Sequence, residues 1–254
     1  MDEAALTGRA VMVTGASSGI GRAIAIAMAR AGADVALTYR TSERAAREVE
    51  EEIRKFGRRG VAVRLDLADL ESIHDAAAAA FERLGRLDVW VNNAGADILT
   101  GDAAALTDLE KLDRLLTVDL RGTIVASWRA ADLLGAQPDG GVIINMSWDH
   151  VLTGMAGHNP QMFSAVKGGV LAFSKSLART VAPRVRVNVL APGWIDTSFA
   201  GGLDARARDR VADATPLKRW GTPDDVANAA VFLASPAAAF ITGQTMLVGG
   251  GTVM

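Results

Sequence analysis

The chain has no cysteine among its 254 residues, which excludes disulfides, thiolate catalysis and cysteine-ligated metals. Histidine is scarce: His74, His150 and His158 are too few and too scattered for an H-E-x-x-H type site, so no catalytic metal is expected. Long apolar runs are missing as well. Half of the residues are hydrophobic, yet charge or glycine interrupts each apolar stretch well before about 18 residues, so none is expected to span a bilayer. The opening Met1-Asp2-Glu3-Ala4-Ala5 is acidic and lacks the basic and apolar regions of a secretory signal, so a soluble, cytoplasmic protein is expected. Nor is there an excess of positive charge. A formal net charge of −2 and a pI near 5.9 argue against a nucleic-acid partner. The one basic cluster, Arg54, Lys55, Arg58 and Arg59, falls at an expected helix end, where cations complement the helix dipole.

What is present is alternation. The apolar run Ala10-Val11-Met12-Val13 leads through Thr14-Gly15-Ala16-Ser17-Ser18-Gly19-Ile20-Gly21 into Arg22 to Ala27, a glycine-rich turn between a first strand and a helix. Asp34 to Tyr39, Gly60 to Leu65, Leu87 to Val91, Gly141 to Met146, Val185 to Leu190 and Gln244 to Val248 read as further strands. Between them lie helical stretches, among them Ser42 to Phe56, Leu70 to Leu84 and Asn159 or Pro160 to Ala182. Thr107-x-x-Glu110 has capping-box spacing before a long helix reaching about Gln137, and Thr222-Pro223-Asp224-Asp225 marks another helix start. With no linker or repeat, residues 1–254 are expected to form a single α/β domain: a Rossmann-type, doubly wound parallel sheet of about seven strands covered by helices on both faces.

The glycine turn is where a dinucleotide is expected. Gly15 permits the tight turn, Gly19 lets the backbone approach a pyrophosphate, and Gly21 allows close helix and strand packing at a helix N-terminus that favours anions. The choice of dinucleotide falls after the second strand, where a carboxylate binds the NAD ribose and an arginine the NADP phosphate. Here Thr38-Tyr39-Arg40-Thr41-Ser42 carries no carboxylate, and Arg40 with Ser42 suits a 2′-phosphate, so NADP is favoured, with NAD as the alternative.

Four separated signals together resemble the short-chain dehydrogenase/reductase family. Thr14 to Gly21 is similar to its T-G-x-x-x-G-x-G, Asn92-Asn93-Ala94-Gly95 to its N-N-A-G, Pro192-Gly193 to its P-G, and Asp66-Leu67 to its adenine-contacting position. The resemblance implies that Gly15, Ser17, Ser18, Ile20 and Gly21 line the pyrophosphate. It implies that Asn93, Ala94 and Gly95 flank the adenosine ribose and that Pro192, Gly193, Ile195 and Thr197 hold the nicotinamide end. Residues 194–214, including Phe199, Gly201 and Gly202, resemble the family's substrate lid. Ala165, Gly168, Gly169 and Ala172 keep one helix narrow on the face through which the family associates, implying a homotetramer or homodimer.

The catalytic positions depart from the family. Its acid–base tyrosine is Phe163, which carries no proton, although the lysine four residues later is present as Lys167 and would hold the nicotinamide ribose. Reading forward from the fifth strand, the family serine becomes Trp148; counting thirteen residues back from Phe163 reaches His150, which implies two extra residues in the connection. The family asparagine becomes Asp119. The segment Ser147-Trp148-Asp149-His150 holds alternative donors: an extended backbone would aim Trp148 and His150 at the cleft and Ser147 and Asp149 away from it. Lys167, His150, Asp149, Ser147 and Asp119 are therefore the candidate catalytic residues. The expected function is NADP-dependent hydride transfer to a small-molecule carbonyl, imine or activated alkene with an atypical proton donor. The alternative is a non-redox NADP-binding sensor or scaffold.

Overall fold

In β1 (Ala10–Val13), successive side chains point to opposite faces, and both faces are apolar. Val11 and Val13 enter one core cluster and Ala10 and Met12 the other, the signature of a strand covered on both sides. The computed structural model describes residues 5–198 and 202–254. The chain continues through α1 (Gly19–Arg30), β2 (Asp34–Tyr39), α2 (Glu43–Arg54), β3 (Gly60–Arg64), α3 (Leu70–Leu84) and β4 (Val89–Asn92). The second half comprises α4 (Asp108–Leu115), α5 (Thr123–Ala136), β5 (Gly141–Met146), α6 (His158–Val181), β6 (Val185–Pro192), α7 (Ala205–Ala214), α8 (Pro223–Ala234) and β7 (Thr245–Val248). The sheet has seven strands in the order β3-β2-β1-β4-β5-β6-β7, every pairing parallel. Among the described residues no helix is long and apolar enough to cross a membrane.

The winding reverses between β1 and β4, and the carboxyl ends of these two strands open a crevice there. Local signals set the helix ends around it. Thr107 and Thr222 both form complete capping boxes, with Glu110 and Asp225, and Asp69 accepts the Glu71 amide at the start of α3. Beneath the crevice, a buried polar network joins sheet to helices. Trp90 Nε1 donates to Asn92 Oδ1 (2.8 Å), Asn92 Nδ2 to Asn145 Oδ1 (2.8 Å), and Asn145 Nδ2 to Ser174 Oγ (2.8 Å). Their mutual satisfaction is what lets these amides lie in a core without a desolvation penalty, and it ties α6 to β4 and β5.

The structure departs from the expected elements in two places that matter to the site. The helix expected from Thr107 to about Gln137 is divided by a π-helical turn, Leu116–Gly122, which carries Asp119. The backbone after β5 does not stay extended: Asp149–Val151 form a 3-10 turn before α6. Within residues 194–214, expected to form a lid, α7 follows Gly202, whereas Phe199 and Gly201 lie outside the described residues, as do Met1 to Ala4 with the acidic Asp2 and Glu3.

Candidate active site

The crevice is built largely by backbone. Thr14 Oγ1 accepts the amides of Asn93 and Ala94, both at 3.0 Å, and Asn93 Nδ2 donates to the carbonyls of Thr14 (3.0 Å) and Gly15 (3.2 Å). These bonds clamp the glycine turn against the end of β4. Gly15 has φ +64°, and a Cβ there would lie 2.8 Å from Ala94 Cα; one at Gly21 would lie 2.3 Å from the Gly15 carbonyl oxygen. Neither position admits a side chain.

A cavity of about 370 Å³ follows, with Gly15, Ser17, Ser18, Ile20 and Gly21 along one side. Asn93, Ala94 and Gly95 also line it, as do Arg40 and Ser42. Ser18 and Ser42 begin α1 and α2 without a side-chain cap bond, so both hydroxyls and the first-turn amides remain for an anion. This donor set fits a dinucleotide diphosphate. Leu65, rather than Asp66 or Leu67, is in the cavity wall, and Asp66 Oδ1 accepts the Ala68 amide at 2.9 Å. The sequence reading passed over Arg114, which also borders this space; its position in α4 has no motif to mark it.

Ile20 and Asn93 are shared with a second cavity of about 420 Å³. Pro192, Gly193, Ile195 and Thr197 border it at and after the end of β6, so the four residues expected at the nicotinamide end lie together. Its walls are apolar and aromatic: Leu99, Trp148, Met155, Phe163 and Trp194. Trp148 and Phe163 meet edge to face, with ring centroids 6.2 Å apart. The chain's only tyrosine, Tyr39, lies in β2 beside the first cavity, so no other tyrosine replaces the missing hydroxyl at 163.

Lys167 borders the second cavity from α6, and its Nζ pairs with Asp119 Oδ2 at 2.9 Å. Asp119 Oδ1 accepts the Ala96 amide at 2.7 Å. The two side chains are only 11% and 2% exposed, so each charge depends on the other for solvation. A Cβ at Gly95 would stand 2.9 Å from Asp119 Oδ2, so a side chain there would displace the paired carboxylate. Sequence position had marked Asp119 and Lys167 separately; their pairing emerges only from the fold.

Ser147 borders the same cavity, but its Oγ donates to the Lys167 carbonyl at 2.8 Å and so helps fix α6. The expectation that Ser147 turns away while His150 faces the cleft needs correction. The 3-10 turn removes the strict alternation, leaving Ser147 and Trp148 on the cavity and His150 behind it, stacked on Trp148 at 4.9 Å. His150 Nδ1 pairs with Asp149 Oδ1 at 2.6 Å. Asp149 is fully buried, its Oδ2 has no hydrogen-bond partner, and burial pushes its carboxyl above the ordinary range against the opposing effect of His150. Asp149 Oδ2 instead occupies the space left by the absent side chains of Gly193 and Gly249, where a Cβ would lie 2.5 and 2.3 Å away.

Known proteins share this architecture along its length. A family model described as enoyl-(acyl carrier protein) reductase matches residues 15–253. The 3-oxoacyl-[acyl-carrier-protein] reductase of Synechocystis sp. is 38% identical over 254 residues, covering 98% of this chain and 99% of that protein. The L-rhamnose 1-dehydrogenase (NAD(P)(+)) of a Sphingomonas species is 38% identical over 249 residues, covering 97% and 96%. Among solved structures, a short-chain dehydrogenase from Burkholderia cenocepacia in complex with NADP superposes with a TM-score of 0.87 at 36% identity, covering 98% and 99% of the two chains. The glycine turn, the parallel sheet and these matches place the chain in the short-chain dehydrogenase/reductase family of oxidoreductases.

Proposed function

We propose that the protein is an NADP-dependent oxidoreductase whose acceptor does not take its proton from residue 163. The observation that carries this reading is a complete anion-binding crevice running into a cavity that has kept its lysine and has phenylalanine where the family's acid stands. The bound dinucleotide would supply a hydride. Arg40 and Ser42 would take the 2′-phosphate, the glycine turn the diphosphate, and Lys167 the nicotinamide ribose, while Trp148 and Phe163 exclude water from the acceptor. The acceptor is a small carbonyl, imine or activated alkene; for the last two, solvent or substrate completes the proton balance. For a carbonyl, the donor would be sought in the His150–Asp149 pair behind Trp148.

Incubation with 4-deuterated NADPH and a panel of the three acceptor types tests the proposal. Deuterium should appear in at least one product, and its absence from all of them despite cofactor binding would count against hydride transfer. A carbonyl rate undiminished in His150→Ala would remove that residue from the chemistry.

The second reading, a non-redox NADP-binding sensor or scaffold, is favoured by Phe163, since general acid–base catalysis typically contributes about 10² to 10⁴ in rate. Efficient multiple turnover would eliminate it. Assembly into a homotetramer or homodimer belongs to the same proposal: Ala165 and Ala172 of α6 are exposed, and Trp128 of α5 is 56% exposed. Gly168 and Gly169 serve the chain itself, facing Val151 and Leu120. Sedimentation measurements should find the oligomer, and a monomer at micromolar concentration would refute it.

A further inference from the structure

The two changes at the hydride-accepting end act on charge in the same direction. Reducing a ketone turns a neutral carbonyl oxygen into a developing alkoxide, which needs either a proton or a nearby positive charge. Phe163 supplies no proton, and the positive charge of Lys167 is cancelled at 2.9 Å by Asp119. Both buried charges are satisfied by each other, so the pair offers the cavity little net field. Trp148, Phe163 and Trp194 then present aromatic surface, whose π faces are negative and attract cations. No carboxylate or second cation borders this cavity among the described residues. The missing acid and the neutralised lysine work against an acceptor that becomes negative, and the aromatic lining favours one that starts positive and ends neutral.

We infer that the cavity beside Lys167 recognises a flat, preformed iminium cation as its hydride acceptor. This rests on the oxidoreductase reading above and names the substrate class of the same site. Hydride addition to the iminium carbon, from the reduced dinucleotide, moves the C=N π pair onto nitrogen. The nitrogen loses its positive charge, a neutral amine results, and no proton is taken up in the step. The absence of a hydroxyl at 163 is then no handicap. Asp119 contributes as a positioning residue: it prevents Lys167 from repelling the substrate while leaving the ammonium group within hydrogen-bonding reach of its carboxylate.

The test is calorimetric and needs no turnover. N-methyl-3,4-dihydroisoquinolinium and the neutral lactam of the same skeleton, N-methyl-3,4-dihydroisoquinolin-1-one, are titrated into the full chain. The cation should bind about tenfold more tightly. Asp119→Asn keeps an acceptor for the Ala96 amide but exposes the lysine charge, and should weaken the cation about tenfold or more while leaving the lactam unchanged. Phe163→Leu, which keeps an apolar side chain, should weaken the cation about threefold and the lactam less. Equal or tighter lactam binding by the wild type overturns the inference without reference to any variant. Unchanged cation affinity in a folded Asp119→Asn protein also overturns it. NADPH affinity, followed separately by the cofactor's own fluorescence, reports on the oxidoreductase reading: absence of NADPH binding with intact cation preference would sink that reading and the hydride step with it, while leaving the cavity's preference for a cation standing.

Discussion

On the proposed reading, the two joined cavities would recognise their ligands by opposite means. The first cavity offers glycine backbone, helix N-termini, hydroxyls and Arg40, all suited to negative charge. The acceptor cavity uses aromatic side chains and a lysine whose charge is already answered by Asp119. One cavity suits an anion, and beside it lies another whose lysine charge is balanced by Asp119. A shared scaffold fixes where hydride arrives; side chains at a few positions decide what kind of acceptor tolerates it.

The largest effect expected from breaking this contrast is structural. Asp119→Ala strands the buried Lys167 charge and should cost about 3 to 5 kcal/mol in denaturant unfolding, whereas loss of an exposed pair costs at most about 1 kcal/mol. Converting the acceptor cavity is the next test. Phe163→Tyr alone gives a hydroxyl beside a neutralised lysine and should raise ketone reduction little. Combined with Asp119→Asn, it should raise the initial rate about 10²-fold, the low end of acid–base contributions. A single substitution as effective as the pair would show that Asp119 does not govern the lysine.

On the crevice side, Arg40→Ala should lower NADPH affinity about tenfold and leave NADH affinity unchanged in a fluorescence titration. Equal losses for both cofactors would move the 2′-phosphate elsewhere. The smallest effect is a control outside both cavities. Asp225 is held well below the ordinary carboxylate range by the Arg219 guanidinium, at 2.7 and 3.0 Å, and by its capping bonds to Thr222. A depressed folded value means that its stabilisation is present above the ordinary carboxylate range and lost as pH falls through the depressed value. Asp225→Asn should therefore cost about 1 kcal/mol at neutral pH, a cost that shrinks on acidification, without altering NADPH affinity.

The crevice was legible in the sequence because backbone constraints leave fixed spacing: Gly15 and Gly21 must be glycine for steric reasons, and Thr14 with Asn93 locks two strand ends. Alternating strands and helices, with capping boxes at Thr107 and Thr222, disclosed the sheet for the same reason. The acceptor cavity was only partly legible. Leu99, Met155 and Trp194 come from three separate loops, and apolar side chains in loops carry no periodicity. The orientations of Ser147 and His150 differ from those expected because a 3-10 turn, not signalled by glycine or proline, follows β5. Asp119 and Lys167 were each visible as departures or matches at family positions, but their neutralising contact depends on a π-helical turn that no local pattern announces.

The most direct test of the account compares deuterium transfer from 4-deuterated NADPH to N-methyl-3,4-dihydroisoquinolinium and to the similarly sized ketone 1-tetralone under identical conditions. Label should enter the amine product at least about 10²-fold faster than the alcohol, the margin that a missing acid–base group implies. Faster labelling of the ketone would contradict the account, because a cavity without a hydroxyl at Phe163 and with Lys167 neutralised would then be stabilising the negative charge it is argued to disfavour.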